Sequence, residues 1–319
     1  MTLLSGPNIA GNEWLYVKDC LDTGWVSSVG SYVDRFEKMC AKFCGTKYAV
    51  ATSSGTTALH ISLLLAGVKR RDYVIVPNIT FIASCNSIKY TGADPILVDV
   101  NSETWQMDLD ILEKFLANET EFSSQKVLQL KKNKRKIRVI MPVHVLGNMC
   151  DMDRLMSISE KYNLTVIEDS TEALGSFYKG KHAGSFGLFG TLSFNGNKII
   201  TTGGGGMILT NDEKLAKKAK HLTTQAKSDP FEYVHDEIGY NYRLTNIASA
   251  LGVAQMELLP AFIKRKHEID AYYKKSLHSF GDIEFQKVSD DVNPNFWLFT
   301  FKTKKQKKNS RHYARPRTG

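Results

Sequence analysis

No two of the five cysteines in this 319-residue chain stand at Cys-X-X-Cys spacing. Cys20, Cys40, Cys44, Cys85 and Cys150 are scattered and odd in number, which argues against a disulfide framework or a zinc ribbon and for reduced thiols. No apolar run approaches the ~20 residues of a membrane span. The first residues, Met1 to Pro7, show neither a basic n-region nor a secretory core, so a cytoplasmic location is expected. Internal repeats are missing, and the Gly203–Gly206 run lacks the Gly-Lys-Ser/Thr ending of a nucleotide phosphate loop. No cluster with metal-ligand spacing is present, so no metal is expected.

Acidic residues are scarce in one place only. The chain has a net charge of +9, with 42 basic and 33 acidic residues. Residues 302–319 hold eight basic side chains and no acid, so the remainder is nearly neutral. This confines the basic signal to a tail, expected to be solvated and disordered, and argues against a nucleic-acid partner.

What remains is an ordinary globular composition, 42% hydrophobic and 24% charged. Short apolar runs alternate with helical periodicity. Strands are expected at Tyr48–Ala51, Tyr73–Val76, Pro95–Val100, Val139–Val145, Thr165–Asp169, Leu188–Phe194, Ile208–Thr210 and Phe296–Phe301. Helices are expected between most of them, with separate helices at Ile247–Leu258 and Ile263–Leu277. Residues 118–138 read as a polar surface excursion. The alternation implies an α/β protein with a parallel sheet.

Four stretches carry chemistry. Thr52-Ser53-Ser54-Gly55-Thr56-Thr57 opens an apolar helix, where free amides and hydroxyls serve either as an anion site or as ordinary caps. Phe81 stands at a strand-to-helix junction, either stacked on a flat ring or in the core. Thr165-Val166-Ile167-Glu168-Asp169 ends in two carboxylates, with Glu172 close behind. Each acid can be an ion-pair partner, a cap or a ligand contact. His144 reads as a satisfied core or cleft histidine. Lys198 ends the turn after Ser193 and precedes four glycines. It is either a surface lysine before a hinge or an amine placed to form a Schiff base. An anion turn, an aromatic ring, an acid and a lysine together suit pyridoxal 5'-phosphate.

In these stretches, and in Gly239 through Gln255, the chain resembles the DegT–DnrJ–StrS-type sugar aminotransferases from about Leu4 to Phe301. The resemblance implies the pyridoxal-phosphate fold type I (aspartate-aminotransferase-like), with a mainly parallel seven-stranded sheet. Residues 1–256 would form the N-terminal arm and large domain, 257–301 a partial, truncated small domain, and 302–319 the tail. Lys198 would be bonded to the cofactor and shuttle the proton. Asp169 would pair with the pyridine nitrogen, and Glu172 would lie near the 3-hydroxyl. Phe81 would stack on the ring, and Gly55, Thr56, Thr57 and Ser193 would hold the phosphate. Asn241 would reach the phosphate in the neighbouring subunit of a homodimer with shared sites. Trp25, Ser27, Tyr240 and Arg243 would contact the nucleotide sugar.

Gly24–Gly30, Trp105–Asp108 and Ser193–Lys198 are most similar to 4-aminotransferases of the legionaminic acid pathway. That similarity implies transfer from glutamate to C4 of a UDP-linked 2-acetamido-4-keto sugar. The alternatives are GDP-perosamine-synthase-like activity, or a paralogue that binds the cofactor with impaired catalysis.

Overall fold

The computed structural model describes residues 5–229 and 231–304. Its centre is a seven-stranded sheet of β1 (Tyr48–Thr52), β2 (Tyr73–Pro77), β3 (Asp94–Val98), β6 (Ile137–Ile140), β7 (Thr165–Asp169), β10 (Phe189–Ser193) and β11 (Gly206–Thr210). Two short strands, β4 (Thr120–Phe122) and β5 (Leu128–Leu130), pair as a hairpin before β6, and another pair, β8 (Phe177–Tyr178) and β9 (Lys181–His182), precedes β10. The spatial order is β1-β11-β10-β7-β6-β2-β3. Pairing from β10 through β3 is parallel, and β11 runs antiparallel to both of its neighbours.

Most of the strands carry Val, Ile and Leu on both faces, as a sheet covered by helices on both sides requires. One face packs on α3 (Gly55–Leu65), α4 (Ile82–Tyr90) and α7 (Glu213–Thr223), around Leu59, Ile61 and Leu63. Another cluster gathers Leu112 and Leu116 of α5 (Leu109–Glu119) with Leu155 and Ile158 of α6 (Met152–Lys161). A third joins α1 (Glu13–Asp22), α2 (Ser31–Cys44) and α8 (Asn246–Leu277) over Phe36 and Phe194, whose rings lie 4.8 Å apart.

This topology sends the carboxyl ends of β1, β2, β7 and β10 to one edge. The end of β11 that begins at Gly206 returns there, opposite both Thr52 and Ser193. Ligand crevices of parallel sheets form outside such ends.

The structure departs from the sequence expectations at several points; the strand expected at Val139–Val145 is shorter and earlier, β6 ending at Ile140. The excursion at 118–138 contains the β4–β5 hairpin and the start of β6. The two expected C-terminal helices are one 32-residue helix, α8, running through Pro260 and across the expected 256/257 boundary. Pro260 leaves the Met256 carbonyl without a helical donor, and packing of the helix outweighs that loss. An 18-residue window of α8 reaches a mean hydropathy of 1.3, long and apolar enough for a membrane span; half of that window is buried within the fold.

Finally, Phe296–Phe301 is not a strand. Phe296 has φ +48°, and only β16 (Phe301–Lys302) pairs, with β14 (Glu284–Phe285). Two further pairings complete this region: β12 (Lys227–Asp229) with β13 (Val234–His235), and β15 (Val292–Asn293) with β8. The expected basic tail therefore begins inside a strand, and its residues 305–319 lie outside the described residues.

Candidate active site

Strand β10 delivers the chain to Phe194, which is fully buried against Phe36. The loop beyond folds back on that residue: the amides of Thr202 and Phe194 donate to the carbonyls of Phe194 and Gly205 at 3.0 and 2.8 Å. A turn closed by the Lys198 amide on the Asn195 carbonyl (3.0 Å) then aims Lys198 inward. Its side chain is only 12% exposed, which overturns the reading of a surface lysine before a hinge. Nζ lies 3.7 Å from Glu172 Oε1 and 4.0 Å from the centre of the Trp297 ring. Burial pushes the Lys198 ammonium below its ordinary value, against the opposing pull of Glu172 and Asp169. Burial likewise raises the Glu172 carboxyl, while Lys198 and the Leu146 amide oppose it. A lysine more readily deprotonated than usual is what carbonyl chemistry needs.

The paired acids at the end of β7 divide by the two-residue period of the strand. Glu168 is wholly buried: His144 Nε2 lies 3.0 Å from one oxygen, and the amides of Gly184, Phe186 and Gly187 donate to the pair at 2.7–2.9 Å. It fixes the loop into β10, and His144 is its core partner. Asp169 faces the crevice. Ser84 Oγ donates to its Oδ2 at 2.6 Å, and the amide and hydroxyl of Thr171 donate to Oδ1 at 3.2 and 2.7 Å.

At the end of β1, Ser54 and Thr57 form a reciprocal capping box, each amide donating to the other's hydroxyl at 3.1 Å. Thr57 is thereby spent on the cap and does not line the cavity, contrary to its expected phosphate role. Gly55 and Thr56 supply the first helical amides, which no intrahelical carbonyl serves, and both line the cavity with Ser193. A Cβ on Gly55 would stand 2.9 Å from both Ser193 Cβ and Thr171 Cγ2, so the cradle tolerates only glycine there.

These groups surround one cavity of about 280 Å³. Phe81, 69% exposed, walls it from the start of α4. The donor set suits pyridoxal phosphate: helix amides and Ser193 for a phosphate, Phe81 for a ring face, Asp169 for a ring nitrogen and Lys198 for an aldehyde. Sequence reasoning missed Ser84, Thr171 and Trp297. Ser84 follows Phe81 closely enough to have been noticed; Trp297 was counted into a strand that does not form.

The remaining expected residues do not join this cavity. Trp25 and Arg243 line a separate cavity of about 720 Å³ beside Tyr32 and Lys220. Tyr240 stacks on Tyr242 at 5.0 Å and packs on His60. Ser27 accepts the Asn246 amide through its carbonyl, and Asn241 Oδ1 is 3.3 Å from the Arg243 guanidinium. Within one chain, these five residues are not brought to Lys198. Among the described residues one cluster could hold a metal: His221, Asp236 and Glu237, where the Lys218 ammonium already contacts Glu237.

Comparison with known proteins places this geometry. The model of the DegT/DnrJ/EryC1/StrS aminotransferase family matches residues 7–315, past Phe301, where the resemblance was expected to end. The GDP-perosamine synthase of Escherichia coli O157:H7 is 44% identical over 298 residues, 93% of this chain and 77% of the relative. That of Caulobacter vibrioides is 41% identical over 298 residues, 93% and 76% respectively. Among solved structures, the Helicobacter pylori aminotransferase PseC, involved in the biosynthesis of pseudaminic acid, matches with a TM-score of 0.84. It is 26% identical, with 97% of this chain and 80% of that one covered.

Proposed function

The chain belongs to the DegT/DnrJ/EryC1/StrS aminotransferase family of pyridoxal-phosphate-dependent sugar aminotransferases, and from that premise we propose that it aminates C4 of a GDP-linked 4-keto-6-deoxy sugar, with glutamate as donor. The enclosed lysine facing an acid and an anion cradle in one cavity carries the transaminase reading. The GDP-linked acceptor is supported by the names of the two relatives above, in preference to the UDP-linked sugar first expected.

The cofactor supplies an aldehyde that bonds amines and a ring that accepts the electron pair released at the donor carbon. This chain's residues would do the rest. The Gly55 and Thr56 amides and Ser193 would hold the phosphate. Asp169, kept oriented by Ser84 and Thr171, would keep the ring nitrogen charged. Lys198 would hold the aldehyde carbon and, when released, carry the transferred proton on Nζ. Glu172 is placed to take up or return charge as that nitrogen changes protonation.

Asn241, Tyr240, Arg243 and the Trp25–Ser27 loop lie away from this cavity. We therefore assign them to the site of a second copy in a homodimer.

The test is to load the full chain with pyridoxal phosphate, add glutamate, and supply the GDP-linked or the UDP-linked keto sugar separately. The expected result is 2-oxoglutarate release and a new amino sugar nucleotide with the GDP-linked acceptor. Product from the UDP-linked acceptor alone would replace the GDP reading. No glutamate-dependent spectral change would remove the aminotransferase reading itself.

A further inference from the structure

We infer that Trp297 is a positioning residue for Lys198, gripping both the peptide that carries the lysine and the ammonium at its far end. This rests on Lys198 being the cofactor lysine.

The indole Nε1 donates to the Asn197 carbonyl at 2.7 Å, the carbonyl of the Asn197–Lys198 peptide itself. The face of the same ring lies 4.0 Å from Lys198 Nζ, within the range of a cation–π contact. One rigid side chain thus spans the lysine from backbone to tip. Ser5 Oγ of the N-terminal arm donates to the same Asn197 carbonyl at 2.8 Å, so this peptide is held from two sides.

Trp297 is itself fixed. Its amide donates to Asn295 Oδ1 at 2.8 Å, and Lys266 Nζ of α8 donates to its carbonyl at 2.9 Å. Asn295 is fully buried, and its Nδ2 donates to the carbonyls of Glu172 and Leu174 at 2.9 Å each. The segment that presents Trp297 is therefore clamped to the loop that presents Glu172, Lys198's other partner. Between Asn295 and Trp297 stands Phe296 at φ +48°, a conformation that costs of order 1 kcal/mol or more for a bulky residue. Its ring is pinned edge-on to His267 at 4.9 Å. The strain turns the chain out of the extended path and places the indole over the lysine.

A structural tryptophan and a positioning one differ in what their loss changes. In the full chain, Trp297→Leu keeps apolar bulk and removes the ring; Trp297→Phe keeps a ring and removes the hydrogen bond to Asn197. The readouts are the pyridoxal phosphate dissociation constant by absorbance titration, the pH titration of the visible band of the loaded chain, and the melting midpoint without cofactor. We expect Trp297→Leu to weaken cofactor affinity roughly tenfold and to move the band's titration midpoint, with Trp297→Phe about threefold weaker. Wild-type affinity and titration in Trp297→Leu would overturn the inference. So would an affinity loss that tracks the melting midpoint across both variants and Asn295→Ala. A wild-type chain that takes up no cofactor would instead refute the assignment of Lys198.

Discussion

The cavities around Lys198 and around Trp25 are built in opposite ways. The 280 Å³ cavity around Lys198 is assembled from strand ends, and its polar side chains are held before any ligand arrives: Asp169 by Ser84 and Thr171, Glu172 by Leu146. The 720 Å³ cavity around Trp25 and Arg243 is bounded by the loop between α1 and α2 and by the approach to α8. Trp25, Val26 and Val29 remain exposed there, as Ile238 does in the loop before Tyr240. A sheet edge can position atoms within one chain, whereas a loop rim with exposed apolar side chains is the kind of surface a second chain covers. On the proposed function the chemistry falls to the first cavity, and the side chains around the second would reach the substrate in a partner's site.

The largest effects should come from the small cavity. Lys198→Ala is expected to lower kcat by ~10^4-fold or more, the range seen when a covalent nucleophile is lost. Its visible band should be absent, as a spectrum of the variant with added pyridoxal phosphate would show. Asp169→Asn should cost about 10^2–10^3-fold in kcat, since it removes the fixed charge; its oxygen can still accept from Thr171, while its Nδ2 meets Ser84 Oγ only as a donor. Steady-state assays of both variants would blur the contrast between cavities if either retained near-wild-type turnover.

How legible these sites are follows from the range of the contacts that make them. Asp169 could be placed from sequence because an apolar strand ends in an acid. Which of Glu168 and Asp169 faces the ligand rested on the resemblance alone, because adjacent strand residues point opposite ways and only the packed sheet says which face is the crevice. The turn from Thr52 to Thr57 reads from sequence as either a cap or an anion site, and the split of Ser54 and Thr57 to the cap from Gly55 and Thr56 in the cavity depends on side-chain conformations that only the folded turn fixes. Lys198 was visible as a lone lysine before glycines, but its burial depends on Trp297 and Glu172, each brought in by a separate part of the fold. Trp297 was invisible as a site residue because the left-handed Phe296 breaks the strand that its neighbours suggest. The joining of two expected helices across Pro260 was lost because the packing of α8 overrides a local breaker.

A middle-sized effect would sharpen the assignment of the second cavity. Arg243→Ala should raise KM for the nucleotide sugar roughly tenfold, the scale of one charge-assisted hydrogen bond. Cofactor affinity should not change, because the groups proposed to hold the cofactor, from Gly55 and Thr56 to Asp169, Ser193 and Lys198, all line one chain's cavity and Arg243 would reach only the sugar. Mixing equal amounts of Lys198→Ala and Arg243→Ala protein is the stronger measurement. If each site takes its lysine from one chain and its arginine from the other, random re-pairing restores one intact site per mixed dimer. At low substrate about a quarter of wild-type activity should return. No recovery, with light scattering showing re-formed dimers, would place Arg243 in the same chain's site.

The smallest effect concerns the scaffold behind the small cavity and should leave its chemistry untouched. His182 is buried, accepts the Gly175 amide on Nε2 at 2.8 Å, and burial depresses its imidazole from 6.5 to about 4. Glu168 is fully buried, which by itself would raise its carboxyl, but the His144 hydrogen bond and charge together with the Gly187 and Gly184 amides bring it below its ordinary value. Both shifts have the same sign for stability. Above pH 6.5 the unfolded chain gains no proton at His182 that the folded one lacks, so the full stability is present. Below it, unfolded His182 binds a proton that the folded site refuses until about pH 4. Unfolded Glu168 follows through the ordinary carboxylate range, and this contribution is lost as pH falls through its lower folded value. The His182 part amounts to at most ~3 kcal/mol between pH 7 and pH 4. Denaturant titrations across that range should therefore show stability falling with acid, and more shallowly in His182→Gln. Equal slopes in the two proteins would mean that the buried imidazole takes up its proton in the folded state.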